Sequence, residues 1–272
     1  MLRWRAGFTL DDRRFSPVPG TLLPTPTPAD RKLAYPWIAA EWLQDDFRRE
    51  RNRDQIERTE DFPYGWRARA QLGLADGAFG ADRSAVIFDA RASRGIEASP
   101  KQLWLFSGSL AGRYEDGSLA DTVLAGQTRW YLRQSDRRLL YASLGFEAGR
   151  NLDADRQILL GGDSGLRGYP LRYQGGEGRW LATLEQRAFS NWYPFRLVNV
   201  GAAAFVDVGG TWGDNPFGTR SRGVLTDVGI GLRLGNSRSG LGNVLHVDFA
   251  FPLNGDPSID SLQVLVETKR SF

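Results

Sequence analysis

Hydrophobic and polar residues alternate with a period of two along most of this chain. Between residues 64 and 75, Trp66 and Leu72 fall on one side of the alternation, whereas Arg67 and Arg69 fall on the other. A helix would spread these side chains around its circumference, but an extended strand places successive side chains on opposite faces. The pattern therefore predicts β-strands, each with one apolar and one polar face.

Twelve segments carry this alternation, and most have the length of about ten residues that a tilted strand needs to cross a bilayer. They fall near residues 3–10, 33–45, 64–75, 82–93, 102–114, 120–133, 138–150, 179–190, 197–209, 224–235, 244–252 and 262–272. Residues 45–62 are the best candidate for an amphipathic helix, but their charges lie on every side. We therefore interpret that stretch as a hydrophilic strand extension or a loop.

The connections between these segments differ in length. Residues 190–196 form a short connection, whereas residues 151–178 form a long one. Outer-membrane barrels show this asymmetry, with short periplasmic turns and longer external loops. The sequence thus predicts an all-β fold, a transmembrane antiparallel β-barrel of about twelve strands, with residues 1–272 forming one domain. The connection near residues 46–62 is longer than a periplasmic turn of this arrangement should be.

A soluble β-sandwich or a lipocalin-like barrel would also alternate, but it would hide its apolar face and expose its charged face to water. Here the apolar face carries aromatic residues near the segment ends, as an interfacial girdle does. They are Trp4, Trp42, Trp66, Trp104, Trp130 and Trp180. The opposite face is rich in Arg, Glu and Asp, which suits a wet lumen. These features favour the membrane barrel over the soluble alternative.

The composition excludes several other classes of protein. The chain contains no run of 18 apolar residues, so no helical membrane span is expected. The absence of Cys removes disulfides, thiolate metal sites and a Cys nucleophile. Because 35 basic and 32 acidic residues are mixed throughout, nothing indicates a nucleic-acid surface. We expect no cofactor and no metal. The first residues lack the apolar core of a signal peptide, which suggests a fragment whose natural start is missing.

The stretch GGDSGLRGYP, residues 161–170, contains the Gly-Asp-Ser-Gly string that surrounds the nucleophile of trypsin-like serine proteases. Catalysis by Ser164 would need a His base and an acid that orients the base. The single His of the chain, His246, follows much later in an alternating segment, where it would face the lumen beside Asp248. Gly-Asp-Ser-Gly is also a common turn composition. We therefore expect no catalytic residue and no enzyme activity.

The same stretch contains Leu-Arg-Gly-Tyr and is followed by the Gly-rich YQGGEGRW. Together these resemble the signature of the bacterial surface antigen superfamily of outer-membrane barrels, which includes the BamA and TamA assembly proteins and the FhaC-type two-partner secretion transporters. The resemblance implies an external loop that folds back into the lumen. Its tip would consist of Gly165, Arg167, Gly168 and Tyr169, with Leu166 where the family often has Val.

A second motif, AFVDVGG, resembles the Phe-x-Asp-x-Gly strand of the same superfamily and supplies Phe205, Asp207 and Gly209. By alternation these residues face the lumen, where an Arg and a carboxylate would form a charge-assisted pair. Glu185 is a looser match to a further lumen acid of the family. The terminal Phe272 resembles the C-terminal signal by which outer-membrane proteins are recognised for assembly, although Arg270 departs from that pattern.

The resemblance implies a protein of the Gram-negative outer membrane that inserts other barrels or translocates polypeptides, gated by the Arg-Gly-Tyr loop. Its partners would be outer-membrane lipids, unfolded or passenger polypeptides and the assembly machinery. The chain would correspond to the last twelve strands of a family barrel, without the four earlier strands and the periplasmic POTRA modules. Two alternatives stay open. One is a barrel that anchors or translocates a fused passenger such as a lipase. The other is a diffusion pore whose lumen is rich in Arg67, Arg69, Arg129 and Arg233.

Overall fold

The computed structural model describes residues 1–17, 27–214, 220–236 and 243–269. Within these ranges the chain forms β-strands and three short 3-10 helices, and it contains no α-helix. The prediction of an all-β chain is therefore confirmed. None of the described helices is long and apolar enough to cross a membrane.

The strands vary from three-residue pairs to runs of more than a dozen residues. In chain order, the described strands are β1 (Leu2–Arg13), β2 (Arg31–Leu43), β3 (Phe47–Arg51), β4 (Thr59–Pro63), β5 (Arg67–Ala75), β6 (Ala85–Ser99), β7 (Gln102–Glu115), β8 (Ser118–Ser135), β9 (Arg138–Arg150), β10 (Ile158–Leu160), β11 (Gln174–Gly176), β12 (Gly178–Phe189), β13 (Val198–Trp212), β14 (Leu225–Asn236), β15 (Val244–Pro252) and β16 (Gln263–Lys269).

Twelve of these strands form one antiparallel sheet, in the order β1-β2-β5-β6-β7-β8-β9-β12-β13-β14-β15-β16. They correspond to the twelve segments predicted from the alternation. Within the described residues, β3 with β4 and β10 with β11 form two separate two-stranded sheets. β1 pairs with β2 and β16 pairs with β15, and no strand pair joins these two edges in the described part of the chain.

Residues 45–62 form no helix, as expected, but their strands are a separate hairpin and not an extension of a sheet strand. β2 ends at Leu43 and β5 begins at Arg67, and between them β3 and β4 pair with each other as a hairpin. The amide of Tyr64 donates to the carbonyl of Asp46 at 2.8 Å and closes the base of this hairpin. Alternation failed to reveal these strands because most of their side chains are charged on both faces. We call residues 44–66 the turn-end hairpin.

The largest difference between a predicted and an observed strand boundary is at the end of β6. β6 continues to Ser99, beyond the predicted end at residue 93, because its pairing with β7 runs on to a tight turn in which Ser99 lies opposite Gln102. The register shifts between Glu97 and Ser99. The irregular pairing there hides the period-two signal that marks the rest of the strand.

The large sheet exposes its apolar face and buries its charged face, which is the reverse of the arrangement in a soluble protein. In β13, Val206 is 37% exposed whereas the adjacent Phe205 and Asp207 are 3% and 0% exposed. Large apolar side chains such as Ile230 and Val266 likewise point outward and are exposed. Charged side chains are almost never buried in soluble proteins without partners. We call the face that buries Asp207 the inner face, and its apolar opposite the outer face.

The strand connections lie at two ends of the sheet. At the loop end, residues 76–84, 151–177 and 253–262 join the strands, and at the turn end residues 100–101 and 136–137 do so. One segment from each end turns toward the inner face. These are the loop of residues 151–177 from the loop end and the turn-end hairpin from the other.

Candidate functional site

Residues 151–177, which we call the infolded loop, leave β9 at the loop end and pack against the inner face. β10 pairs with β11 and closes the base of the loop. Beyond this pair, Leu160, Leu166 and Tyr169 of the loop form a buried apolar cluster with Leu225 of β14. The tip of the loop is therefore fixed inside the curved sheet and is not exposed at its rim.

Two aspartates near the start of the infolded loop connect it to distant strands. Asp155 accepts hydrogen bonds from Arg13 of β1 at 2.9 Å and from Arg31 of β2 at 3.2 Å. Asp153 accepts from both terminal nitrogens of Arg113 of β7, at 2.7 and 2.8 Å. Since β1, β2 and β7 all reach residues that follow β9, the large sheet curls around the loop.

The structure brings Arg167, at the tip of the infolded loop, into contact with Asp207 on β13. Arg167 Nε donates to Asp207 Oδ2 at 2.7 Å, and Nη2 donates to Oδ1 at 3.1 Å. The guanidinium carbon lies 3.3 Å from the ring centroid of Phe205. Two parallel donors that face one carboxylate give both orientation and strength to the contact. Arg167 therefore occupies a site shaped for a planar guanidinium.

Two further carboxylates complete the surroundings of Arg167. Its Nη1 donates to Glu185 Oε2 at 3.0 Å and to Asp248 Oδ2 at 3.3 Å. Arg233 of β14 binds the same two acids, with Nη2 3.3 Å from Glu185 Oε2 and Nη1 bonded to Asp248. The alternation of β12, β13 and β15 places all three acids on the inner face. Two arginines thus share three carboxylates in a buried network.

The register of β12 against β13 positions Asp207 for the loop. Thr183 lies opposite Asp207, and its hydroxyl donates to Asp207 Oδ1 at 2.7 Å. The Asp207 carboxylate is therefore oriented by Thr183 on the neighbouring strand as well as by Arg167. A buried carboxylate with such fixed partners loses little conformational freedom when the loop docks.

Gly168 and Tyr169 hold the tip beside β14. A Cβ atom on Gly168 would lie 2.5 Å from the Cβ of Asp227, so no larger residue fits without a shift of the loop. The amide of Thr226 donates to the Tyr169 hydroxyl at 3.2 Å, and that hydroxyl lies 2.8 Å from the Thr226 carbonyl oxygen. Tyr169 therefore binds the exposed backbone groups where β14 begins.

Two other predicted glycines make room for the same loop. Gly165 has a φ of +114°, and a Cβ there would lie 2.1 Å from Leu181 Cδ2. Gly209 would place a Cβ 2.8 Å from the Trp180 carbonyl oxygen and 3.1 Å from Leu160 Cδ2. The glycine of the Phe-x-Asp-x-Gly strand thus leaves space on the wall for β10 of the loop.

The remaining predicted residues lie apart from this network or outside the described chain. The hydroxyl of Ser164 donates to the Gly161 carbonyl at 3.2 Å and accepts from the Gly161 amide at 2.9 Å, within its own turn. His246 lies buried on the inner face of β15, opposite Arg233 in the register with β14. Phe272 falls outside the described residues.

Sequence reasoning missed part of the charge network. Asp248, two residues after His246, lies on the inner face with Asp207 by the alternation of β15. Arg187, two residues after Glu185 on β12, was not singled out. The signal that would have found both is the recurrence of charged residues on the lumen side of consecutive strands. In an outer-membrane barrel this face holds the binding groups.

The turn-end hairpin approaches the same network from the opposite end. The hydroxyl of Tyr131 on β8 donates to Asp54 Oδ1 at 3.0 Å. Arg187 Nη1 donates to the carbonyl of Arg53 at 2.7 Å, while its Nε donates to Glu185 Oε1 at 2.9 Å. Glu185 therefore binds the infolded loop directly and, through Arg187, the turn-end hairpin.

The turn of the hairpin also contains a buried acid with a perturbed pKa. Burial, and then the neighbouring charge of Asp54, raise the pKa of Glu60 to about 7. The amides of Arg53 and Asp54 donate to its carboxylate at 3.0 and 3.1 Å. These bonds favour the ionised form but do not offset the effect of burial.

The exposed apolar outer face, the buried charged inner face and the infolded loop are typical of the wall of an outer-membrane β-barrel. Residues 42–264 match the family model described as the Omp85 superfamily domain. No curated protein matches the chain significantly. Because the family match covers most of the sequence, the chain belongs to the Omp85 superfamily, and the resemblance to the bacterial surface antigen superfamily is confirmed. Proteins of this family insert or translocate other proteins at the outer membrane of Gram-negative bacteria.

Proposed function

We propose that this chain is the barrel portion of an outer-membrane protein that inserts other barrels or translocates a passenger polypeptide, whether separate or fused. The infolded loop gates the interior, and the contacts of Arg167 with Asp207, Glu185 and Asp248 hold the gate. This buried cluster of one loop arginine and three wall carboxylates is the observation that carries the proposal. No covalent chemistry is required for this work, and we assign no catalytic residue.

The ion pairs of Arg167 hold the infolded loop strongly enough for the loop to act as a gate. A buried ion pair gains little over a well-packed apolar contact, but the loss of one partner costs about 3–5 kcal/mol because a buried charge is left uncompensated. The loop is therefore held firmly as long as its arginine stays in place. During translocation, a passenger polypeptide that satisfies the same acids would release the loop without leaving those charges unpaired.

The edges of the sheet supply a place where an incoming strand can pair. β1 and β16 each have one described neighbour, and an edge with unpaired backbone groups is a template for strand addition. The exposed apolar outer face fits contact with lipid, as expected for a barrel wall. Barrel insertion in this proposal proceeds by strand pairing at these edges while the infolded loop stays docked.

Reconstitution into liposomes tests the proposed function. Liposomes that contain the protein should accelerate the folding of an unfolded outer-membrane β-barrel, and R167A should reduce that acceleration at least about tenfold, which equals about 1.4 kcal/mol. R91A is the matched control, because Arg91 is an inner-face arginine whose contact with Asp89 is largely exposed. If the wild-type protein gives no acceleration, or if R91A is as impaired as R167A, the proposal is wrong.

A diffusion pore is the second candidate, and one observation favours it. A cavity of about 610 Å³ remains beside the inner face, and Arg67, Arg69 and Arg91 are among the residues that line it. Two other arginines of the inner face are already paired with acids. Arg129 lies 3.7 Å from Asp54 of the turn-end hairpin, and Arg233 binds Asp248 of β15. Steady, large openings of the wild-type protein in a planar bilayer would favour the pore over the gated barrel.

A further inference from the structure

The turn-end hairpin buries a polar turn inside the curved sheet. Asn52, Arg53, Asp54 and Ile56 are 8%, 2%, 5% and 2% exposed, respectively. Polar side chains and backbone are buried only where partners satisfy their hydrogen-bonding groups. The inner face at the turn end must therefore offer matching donors and acceptors.

These partners form a cradle of cationic and aromatic side chains on β8 and β12, which we call the arginine cradle. Its members are Arg129, Tyr131, Arg133 and Arg187. Arg133 Nη2 donates to Glu50 at 2.9 Å and to the carbonyl of Arg51 at 3.0 Å. Tyr131 and Arg187 bind Asp54 and the Arg53 carbonyl, as described above. The cradle thus recognises backbone carbonyls and the carboxylate of a turn.

The contacts of the hairpin continue onto β13 and the adjoining turns. Asn199 Nδ2 donates to the Ile56 carbonyl at 3.2 Å, and Asn52 Nδ2 donates to the Asp136 carbonyl at 3.1 Å. Ile56 packs where the wall carries Gly201 and Gly235 and so has no side chain in the way. The hairpin therefore spans the interior at the turn end.

Among the described residues, β3 and β4 pair with each other, and neither strand is part of the large sheet. Apart from a 3.2 Å bond from the Gly95 amide of β6 to the Tyr64 carbonyl, the hairpin meets the large sheet through contacts that involve side chains. These include an apolar cluster in which Ile56, Phe62 and Tyr64 of the hairpin lie with Tyr131 of the wall. Departure of the hairpin would break no strand pair of the large sheet. A strand of the sheet could not leave in this way. The hairpin accordingly occupies the arginine cradle without taking part in the strand pairing of the large sheet.

We propose that the arginine cradle is a docking site for the polypeptides that the protein handles, and that residues 47–63 are its built-in occupant. The ligand class is a β-turn or hairpin with a carboxylate at its tip and free carbonyls beside it. Such a segment would displace the hairpin and satisfy Arg129, Arg187 and Tyr131 as Asp54 does. This inference rests on the proposed function, because it names where the polypeptide first binds.

An engineered disulfide tests the inference in the whole chain of 272 residues, which has no Cys of its own. A Cβ on residue 235 would lie 3.3 Å from the Cβ of Ile56, close to the distance of about 3.5–4.5 Å between the Cβ atoms of a disulfide. I56C combined with G235C therefore locks the hairpin in the cradle when oxidised. The reduced form of the same protein is the control for folding.

The probe is a fluorescent synthetic peptide of residues 46–64, with the same peptide carrying D54N as its control. We expect the reduced variant in liposomes to bind the peptide, the D54N peptide to bind at least about tenfold more weakly, and the oxidised variant to bind neither. In a second variant, the whole chain carries D54N, which weakens the binding of its own hairpin to the cradle. This variant should bind the wild-type peptide more tightly than the wild-type protein does.

Each outcome decides a different claim. If the oxidised variant binds the peptide as well as the reduced one, the cradle is not the docking site, while acceleration of barrel folding by the wild-type protein would still support the proposed function. If the peptide binds no form of the protein, including the whole chain with D54N, the docking proposal is wrong. Loss of folding acceleration in the wild-type protein is the separate result that overturns the proposed function.

Discussion

Glu185 and Arg187 lie two residues apart on the inner face of β12 and are joined by a 2.9 Å bond from Arg187 Nε to Glu185 Oε1. Glu185 binds Arg167 of the infolded loop, and Arg187 binds the carbonyl of Arg53 in the turn-end hairpin. Two segments that enter from opposite ends of the sheet are thus linked by a single pair of wall residues. A change at either segment is expected to alter the other.

Substitution of Glu185 tests this link. E185Q removes the charge shared by Arg167, Arg187 and Arg233 while it keeps the size of the side chain. We expect faster hydrogen exchange in both the infolded loop and the turn-end hairpin. The loop loses a charge-assisted contact, and Arg187, which binds the hairpin, loses the carboxylate that orients it. The measurement is hydrogen-deuterium exchange of the protein in detergent, resolved by peptide.

The matched control for that experiment is E147Q. Glu147 binds Arg179 at 3.0 Å in a more exposed position on β9. We expect exchange in the turn-end hairpin to stay at the wild-type rate in E147Q. Faster exchange confined to the infolded loop in E185Q would contradict the link between the two segments.

Substitution of two glycines by Ala distinguishes the stability cost of a steric clash from that of backbone strain. Gly165 and Gly80 both have positive φ, of +114° and +93°, but a Cβ on Gly80 meets nothing within 4 Å whereas one on Gly165 meets Leu181. We expect G80A to cost about 1 kcal/mol of unfolding free energy, from backbone strain alone. G165A should cost about 2 kcal/mol more, because the loop must shift to relieve the overlap. Equal melting temperatures for the two variants would show that the infolded loop does not pack against Leu181.

The turn-end hairpin should dock more firmly in mildly acidic solution. The pKa of Glu60 is raised to about 7 in the folded chain, above its ordinary value of 4.5, because the carboxyl is buried next to Asp54. An acid with a raised folded pKa binds more protons in the folded state, so its contribution to stability is present below pH 4.5 and is lost as pH rises through about 7.

Hydrogen exchange of residues 47–63, corrected for the intrinsic effect of pH on exchange, measures this dependence. We expect less protection at pH 8 than at pH 5 in the wild-type protein. E60Q should show a weaker change over the same range, since the carboxyl with the raised pKa is then absent. Protection that increases with pH in the wild-type protein would contradict the assignment of Glu60 as a buried, protonated acid.

The strands were predictable because each has one face toward apolar surroundings and one toward a polar interior. That arrangement gives the sequence a period of two, in which Val206 faces outward and the next residue, Asp207, faces inward. The facing of Asp207, and hence its availability to Arg167, followed from the same alternation together with the family motif.

The turn-end hairpin was not predictable in this way. Its buried residues Arg53, Asp54 and Glu60 are charged, so burial leaves no regular hydrophobic pattern in the sequence. The partners are also distant, with Asp54 contacting Tyr131 and Arg187. Such contacts depend on the curvature of the whole sheet, which local periodicity does not encode.

The most direct test of the central claim is a double-mutant cycle on Arg167 and Asp207. R167A, D207A and the double variant are refolded in detergent, and their unfolding free energies and heat-modified gel mobilities are compared. We expect R167A to cost about 3–5 kcal/mol, and the double variant to cost less than the sum of the two single variants by at least about 1 kcal/mol. This result would show that the loop and the wall stabilise each other through this pair. Strict additivity, or single variants as stable as the wild-type protein, would contradict a loop held in the interior by Arg167.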